Sequence, residues 1–258
     1  MGNNQSHQEK IQDQFTKQAI PFANLPGHLS SMEMLIAMSE VKQNDNVLDV
    51  ACGPGLVACE FAKHAKQVTG IDITEKMILE ASKKQATENI YNAKWDIGDV
   101  TSLPYANNSF SIVLTRYSFH HFIEIGIVFN EMLRVCKPNG KIMVIDVTIP
   151  DDKNEYYNQM EKLRDPSHTK ALTPKEFEKL FSDVRLINQK QSSYSVDMEL
   201  EAQLKASFPN PGDDDKLRIL FKNDIGVDKL GVNARLVNNE IYFSYPISIY
   251  MATKTDVG

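Results

Sequence analysis

Val47-Leu48-Asp49-Val50-Ala51-Cys52-Gly53-Pro54-Gly55 is the stretch that decides the fold. Val47, Leu48 and Val50 give a short apolar strand, and Gly53 and Gly55 place a bend directly after it. The apolar residues from Leu56 onward start a helix. A glycine bend lets backbone approach a ligand with no Cβ in the way and tolerates positive φ. The helix behind it presents unpaired N–H groups to whatever lies above. In open parallel sheets, ligands bind at these carboxyl-terminal strand ends.

Working outward, short apolar strands recur at 68–73, 93–97, 110–116 and 141–147. Helical segments at 56–66, 75–87 and 122–136 separate them. This alternation predicts an α/β, Rossmann-like, mostly parallel sheet of seven strands, with helices on both faces and right-handed crossovers. Pro138-Asn139-Gly140 punctuates the last helix–strand junction. After Val147 the rhythm breaks. Residues 148–182 are polar and helical, and Thr173-Pro174-Lys175-Glu176 carries a cap, a first-position proline and a capping-box glutamate. A strand is expected at 184–190. Residues 192–239, with Pro209-Asn210-Pro211-Gly212 and Asp213-Asp214-Asp215, read as non-strand. Residues 241–254 are aromatic and β-branched and return to the sheet. The excursions at 148–182 and 192–239 therefore read as insertions over one edge of a domain spanning 41–258. Ahead of it, residues 1–40 predict a helical lid. Ile11, Phe15 and Ile20 punctuate its first helix, and Ser30 or Ser31 caps a second, with Glu33 in the first turn.

The 258 residues are 42% hydrophobic and 24% charged, which excludes global disorder. A formal charge of -6 argues against a nucleic-acid partner. Cys52, Cys59 and Cys136 form no zinc spacing and no disulfide framework, so they read as reduced thiols in a cytoplasmic protein, and no metal is expected. No apolar run approaches the ~20 residues of a membrane span, and the N-terminus has no apolar signal core. Met1-Gly2 with Ser6 fits the N-myristoylation pattern in form only.

The loop alone leaves two cofactor classes open. Gly53-Pro54-Gly55-Leu56-Val57-Ala58 also fits the dinucleotide pattern, which keeps an NAD-type oxidoreductase in play. Asp49, inside the strand, suits a cofactor bearing an amino acid better than a pyrophosphate, which an anion repels. Asp72, at the tip of the next strand, can accept from both hydroxyls of a ribose in either class.

Asp49 to Gly55 and Ile71-Asp72-Ile73-Thr74 resemble the first two motifs of the class I S-adenosylmethionine (SAM)-dependent methyltransferases. The resemblance continues through Gly98-Asp99-Val100, Leu103-Pro104-Tyr105, Ser109-Phe110-Ser111-Ile112-Val113, Arg116-Tyr117-Ser118-Phe119-His120-His121-Phe122 and Leu133-Arg134-Val135-Cys136-Lys137-Pro138-Asn139-Gly140-Lys141. It spans residues 40–147 and is nearest to the small-molecule group that includes the ubiquinone/menaquinone-biosynthesis C-methyltransferases. It implies that Asp49, Ala51, Gly53 and Gly55 shape the loop around the methionine part of SAM. Asp72 would hold the ribose, and Ile73 and Met77 the adenine. Asp99 would accept from the adenine amino group, the Val100 backbone would meet the ring edge, and Arg116 would lend backbone near the methionine end. Two positions depart from the family: Ala51 stands where glycine is usual, and Ser111 where aspartate is common. Ser111 leaves room for a SAM-binding protein without turnover.

Methyl transfer from a sulfonium is an in-line displacement, so positioning supplies most of the available catalysis. A base is needed only where the acceptor must lose a proton. His120, His121, Tyr117 and Asp146 are candidates, with His121 the first choice and Tyr117 beside it. Arg164 and His168 of the first insertion, with Phe15, are expected to meet a small-molecule acceptor. Phe22, Tyr156 and Tyr157 are further lid aromatics. The sequence leaves open the acceptor's identity, whether carbon, nitrogen or oxygen receives the methyl group, and whether the protein is a monomer or a homodimer.

Overall fold

β1 (Asn46–Val50) lies mid-sheet, parallel to β2 (Gln67–Asp72) on one side and β4 (Phe110–Arg116) on the other. Its side chains explain this position. Val47 joins the hydrophobic cluster on one face, Leu48 and Val50 join the other, and all three are fully buried. A strand covered on both faces needs a nearly continuous apolar run. Each such side chain contributes about 1.5–3 kcal/mol by leaving water.

The computed structural model describes residues 2–23, 31–183 and 185–256. Ser30, Val184 and the side chain of Phe22, on which expectations fell, lie outside the described residues. β3 (Ala93–Ile97) flanks β2, and β5 (Cys136–Val147) flanks β4. β8 (Glu240–Lys254) then runs antiparallel between β5 and β6 (Leu186–Glu199). Among the described residues the order is β3-β2-β1-β4-β5-β8-β6, with a short β7 (Arg235–Val237) on β8 as the eighth strand.

The expected sheet is present, with two differences at its far edge. β7 lies inside a stretch read as non-strand. It forms because Asn238 and Asn239 both take positive φ, 52° and 68°, the backbone of a tight hairpin turn. β6 runs to Glu199, past the expected end near 190. Its sequence hides this because an edge strand keeps polar side chains along its length. The second excursion therefore begins at α8 (Leu200–Ser207).

α2 (Met32–Ser39) and α3 (Leu56–Ala62) pack on one face through Leu35 and Phe61. α5 (Ile125–Val135) and α7 (Pro174–Phe181) cover the other through Phe129 and Phe177. The first excursion thus divides. α6 (Asp151–Arg164) joins α8 and α9 (Asp213–Asp224) in the cluster of α2 and α3, while α7 crosses to the opposite face. α7 starts as its sequence dictates, with Thr173 Oγ1 accepting from Glu176 N and Glu176 Oε2 from Thr173 N. α2 does not: Ser31 is left-handed there and makes no side-chain cap. α4 (Glu75–Thr87) follows β2, and α1 (Gly2–Ala23) packs against α4 and α8.

Candidate functional site

The bend after β1 is built from left-handed backbone. Ala51, Gly53 and Gly55 have φ of 55°, 51° and 74°. For Ala51 this costs about 1–2 kcal/mol relative to a right-handed residue. Cys52 N donates to Ile71 O at 3.0 Å, tying the bend to β2. Asp72, at the tip of β2, completes the tie: its Oδ2 accepts from Gly53 N at 2.9 Å and its Oδ1 from Thr74 N at 2.8 Å. Burial raises the Asp72 pKa, against the pull of those two N–H groups. Each carboxylate oxygen keeps a lone pair for a further donor.

Above this bend is a cavity of about 440 Å³. Ala51, Gly53, Asp72, Ile73, Met77, Asp99, Val100 and Arg116 line it, together with Tyr117, His121 and Phe15. Of the residues expected at a cofactor, Asp49 and Gly55 do not line it. Gly55 packs against Trp95 and Ala81 behind the bend. Asp49 is buried beneath the loop, and desolvation raises its pKa to about 8, opposed by the backbone N–H of Ala58. Its Oδ2 meets no partner among the described residues.

α1 roofs the cavity. Gln8 Nε2 donates to Asp99 Oδ2 at 2.6 Å, while Asp99 Oδ1 accepts from Thr101 N at 2.9 Å. Gln12 Nε2 reaches Ile73 O at 3.2 Å and His7 Nε2 donates to His121 O at 2.8 Å. Phe15 meets the His121 ring edge-on at 4.9 Å. The sequence pattern pointed to Phe15 but not to these polar contacts, which come from residues with no local signature.

Beyond the bend, the chain after β4 supplies the remaining wall. Arg116 Nη2 donates to the hydroxyls of Tyr117 (2.9 Å) and Tyr194 (3.2 Å), and the two hydroxyls lie 2.8 Å apart. Burial pushes the Tyr117 pKa upward, which suits a hydrogen-bond donor and not a base. A 3-10 turn at Phe119–His121 follows. Asp146 of β5 accepts from Phe119 N at 2.7 Å, and its Oδ1 pairs with His120 Nδ1 at 2.6 Å. Burial lowers the His120 pKa, but the charge and hydrogen bond of Asp146 outweigh it and the net shift is upward. His121 differs. Its Nδ1 faces the Ser167 carbonyl at 3.2 Å, so that nitrogen carries the proton. Burial, then His120, pushes its pKa down to about 3.

The matches to known proteins agree with this architecture. A family model for a methyltransferase domain matches residues 48–144. The uncharacterized methyltransferase YcgJ of Bacillus subtilis is 29% identical over 192 residues, covering 74% of this chain and 76% of its own. A ubiquinone/menaquinone biosynthesis C-methyltransferase UbiE of Bdellovibrio bacteriovorus is 33% identical over 161 residues, 58% of this chain and 68% of its own. The chain belongs to the SAM-dependent methyltransferases. The crystal structure of the B. subtilis YcgJ protein superimposes with a TM-score of 0.80 at 24% identity, covering 88% of this chain and 99% of that one. The antiparallel β8 between β5 and β6 also departs from the 3-2-1-4-5-6 order of dinucleotide folds.

In this methyltransferase the remaining candidates fall away from the main cavity. Arg164 is buried and engages Glu161 through Nε (2.9 Å) and Nη2 (2.6 Å) and Ser207 Oγ through Nη1 (3.0 Å). His168 does not line the main cavity; its Nε2 donates to Asn158 Oδ1 at 2.7 Å behind the other two histidines. Ser111 accepts from Asn46 N at 3.0 Å, at the amino-terminal end of the sheet away from the cavity. Tyr194 lies on the polar, largely exposed stretch of β6, which carries no alternating apolar signal for a strand. The three cysteines are free and buried, and burial pushes the Cys59 and Cys136 thiols up to about 12. No group of acid, histidine or cysteine ligands could hold a metal among the described residues. No described helix is long and apolar enough to cross a membrane.

Proposed function

We propose that the 440 Å³ cavity holds SAM and that the enzyme passes its methyl group to a small-molecule acceptor in the cytoplasm. The observation that carries this reading is the joining of Asp72 and Asp99, from successive strand tips, to the glycine bend on one wall. A Cβ built on Gly53 would meet only Met77 Sδ, at 4.0 Å, so the bend leaves open space where the methionine part would lie. Asp72 has lone pairs left for a ribose diol. Ile73 and Met77 give an apolar slot for adenine, and Asp99 an acceptor for its amino group. Arg116 lends backbone at the methionine end. Gly55 and the buried Asp49 act from beneath, holding the bend in shape. When bound, SAM supplies an electrophilic methyl group on a sulfonium.

The chain's own contribution is placement and exclusion of water. Residues 1–40 act as a lid, supported by His7, Gln8 and Phe15 on the cavity wall. His120, oriented by Asp146, is better suited than His121 to take an acceptor proton, because His121 is held neutral and weakly basic. A buried aspartate that orients a histidine also favours an enzyme over a passive SAM-binding protein. Tyr117 serves as a hydrogen-bond donor. A nucleic-acid acceptor is disfavoured by the charge of -6.

Calorimetric titration of wild type and Asp72→Ala with SAM and with NAD tests the assignment. Wild type should bind SAM and the variant should lose at least about tenfold, or about 1.4 kcal/mol. NAD binding to wild type, or undiminished SAM binding to a folded Asp72→Ala, would overturn it.

A further inference from the structure

Behind Tyr117 and His121 lies a second, smaller chamber of about 70 Å³. It shares Phe15, Tyr117 and His121 with the main cavity, so the two are adjacent. Its far wall comes from the excursions and the last strands: Glu161 and Arg164 of α6, Gln203 of α8 and Tyr245 of β8. His120 closes it on the side of the 3-10 turn.

The buried polar side-chain atoms of this chamber have partners, with one exception among the described residues. The Arg164 guanidinium donates to Glu161 through Nε and Nη2 and to Ser207 Oγ through Nη1. Glu161 Oε1 also accepts from the Tyr245 hydroxyl at 3.1 Å. Asp165 accepts from Ser167 Oγ at 2.6 Å and Gln18 Nε2 at 3.1 Å. Asp146 is spent on His120. Gln203 is the exception. It is 7% exposed, its Nε2 reaches Ser207 Oγ at 3.4 Å, and its Oε1 has no partner among the described residues. A buried amide oxygen without a donor costs about 1–3 kcal/mol, a cost that a ligand's N–H or O–H would remove.

We propose that this inner chamber is the acceptor subsite, and that it takes the hydrogen-bond-donating end, a hydroxyl or an amine, of an uncharged or cationic acceptor and refuses anions. The inference rests on the SAM reading of the adjacent cavity. Charge supports it. Glu161, Asp165 and Asp146 face Arg164 and His120, and the Arg164 guanidinium on the chamber wall is already engaged by a carboxylate. Three carboxylates against two basic groups oppose the entry of a further carboxylate or phosphate. The volume suits a group of a few non-hydrogen atoms, with the rest of the acceptor extending into the main cavity. His120 has its Nδ1 on Asp146, which leaves Nε2 as the ring nitrogen that can serve the chamber. The acceptor's O–H or N–H proton passes to that nitrogen while its lone pair forms the new bond to the methyl carbon. The carbon–sulfur pair stays on sulfur.

The test uses the full chain saturated with S-adenosylhomocysteine, which cannot turn over. Phenol, benzylamine and benzoate are titrated by ligand-observed NMR into wild type, Gln203→Met and Gln203→Leu. Phenol or benzylamine should bind in the millimolar range expected of fragments this size, with benzoate at least about tenfold weaker. Which of the two binds separates a hydroxyl from an amine acceptor. Gln203→Met should weaken that fragment at least about fivefold, leave S-adenosylhomocysteine affinity unchanged and keep or raise the urea midpoint, because it removes an unsatisfied buried oxygen. A purely structural glutamine would lose stability instead. Benzoate binding as tightly as the donors, no fragment binding to the loaded protein, or unchanged fragment binding in both variants would overturn the proposal. Failure of wild type to bind S-adenosylhomocysteine at all would instead defeat the reading of the main cavity.

Discussion

Gly53 and Gly55 lie two residues apart in the same bend, yet alanine at each should fail in a different way. At Gly55 an added Cβ would stand 2.6 Å from Trp95 Cη2 and 2.9 Å from Ala81 Cβ. Trp95 is held by its own hydrogen bond to Gln85 Oε1, so neither neighbour yields easily. The left-handed φ costs alanine about 1–2 kcal/mol, and the overpacking about 1–3 kcal/mol more. The sum, about 2–5 kcal/mol, lowers the melting temperature by about 4–20 °C in a chain of this size. At Gly53 only the conformational cost applies, about 1–2 kcal/mol, because the new methyl points into open space near Met77. That space is where the cofactor would lie, so Gly53→Ala should lose more than about tenfold in SAM affinity. Gly55→Ala should keep near wild-type affinity wherever it remains folded. Calorimetric melting and SAM titration on both variants read the two effects separately. The reasoning fails if Gly55→Ala melts within a degree or so of wild type, or if Gly53→Ala binds SAM normally.

Gln8→Ala should bind SAM at least as tightly as wild type, since Gln8 occupies the Asp99 oxygen intended for adenine; a large loss of affinity would show that Gln8 belongs to the binding site. His120→Gln should lower turnover by about 10²–10⁴ with SAM affinity retained. The wild-type rate should rise with pH through a midpoint above 6.5, because Asp146 raises the His120 pKa and only the neutral ring accepts a proton. Asp146→Asn should move that midpoint downward, and an unmoved pH profile would separate the two residues. His121, held at about 3, refuses a proton that the unfolded chain binds below about 6.5. Stability due to it is therefore present above that pH and falls on acidification, by about 1.4 kcal/mol per pH unit. His121→Gln should flatten the urea midpoint against pH between those limits, and an unchanged slope would refute the assignment.

The central half of the sheet and the bend above it are legible in the amino-acid sequence alone. Those elements are local: the apolar run of β1, the glycines after it and the capping box of α7 each declare themselves within a few residues. The long, polar edge strand β6 was only half visible because its register comes from β8, some fifty residues later, and its side chains face water. The inner chamber was not legible at all. Glu161, Gln203 and Tyr245 belong to separate elements with no shared motif, and they meet because α6, α8 and β8 pack against one hydrophobic cluster. The same packing placed Arg164 on Glu161 and turned His168 toward Asn158. Residue type can suggest chemistry, but which charges are left available depends on partners that only the tertiary fold supplies.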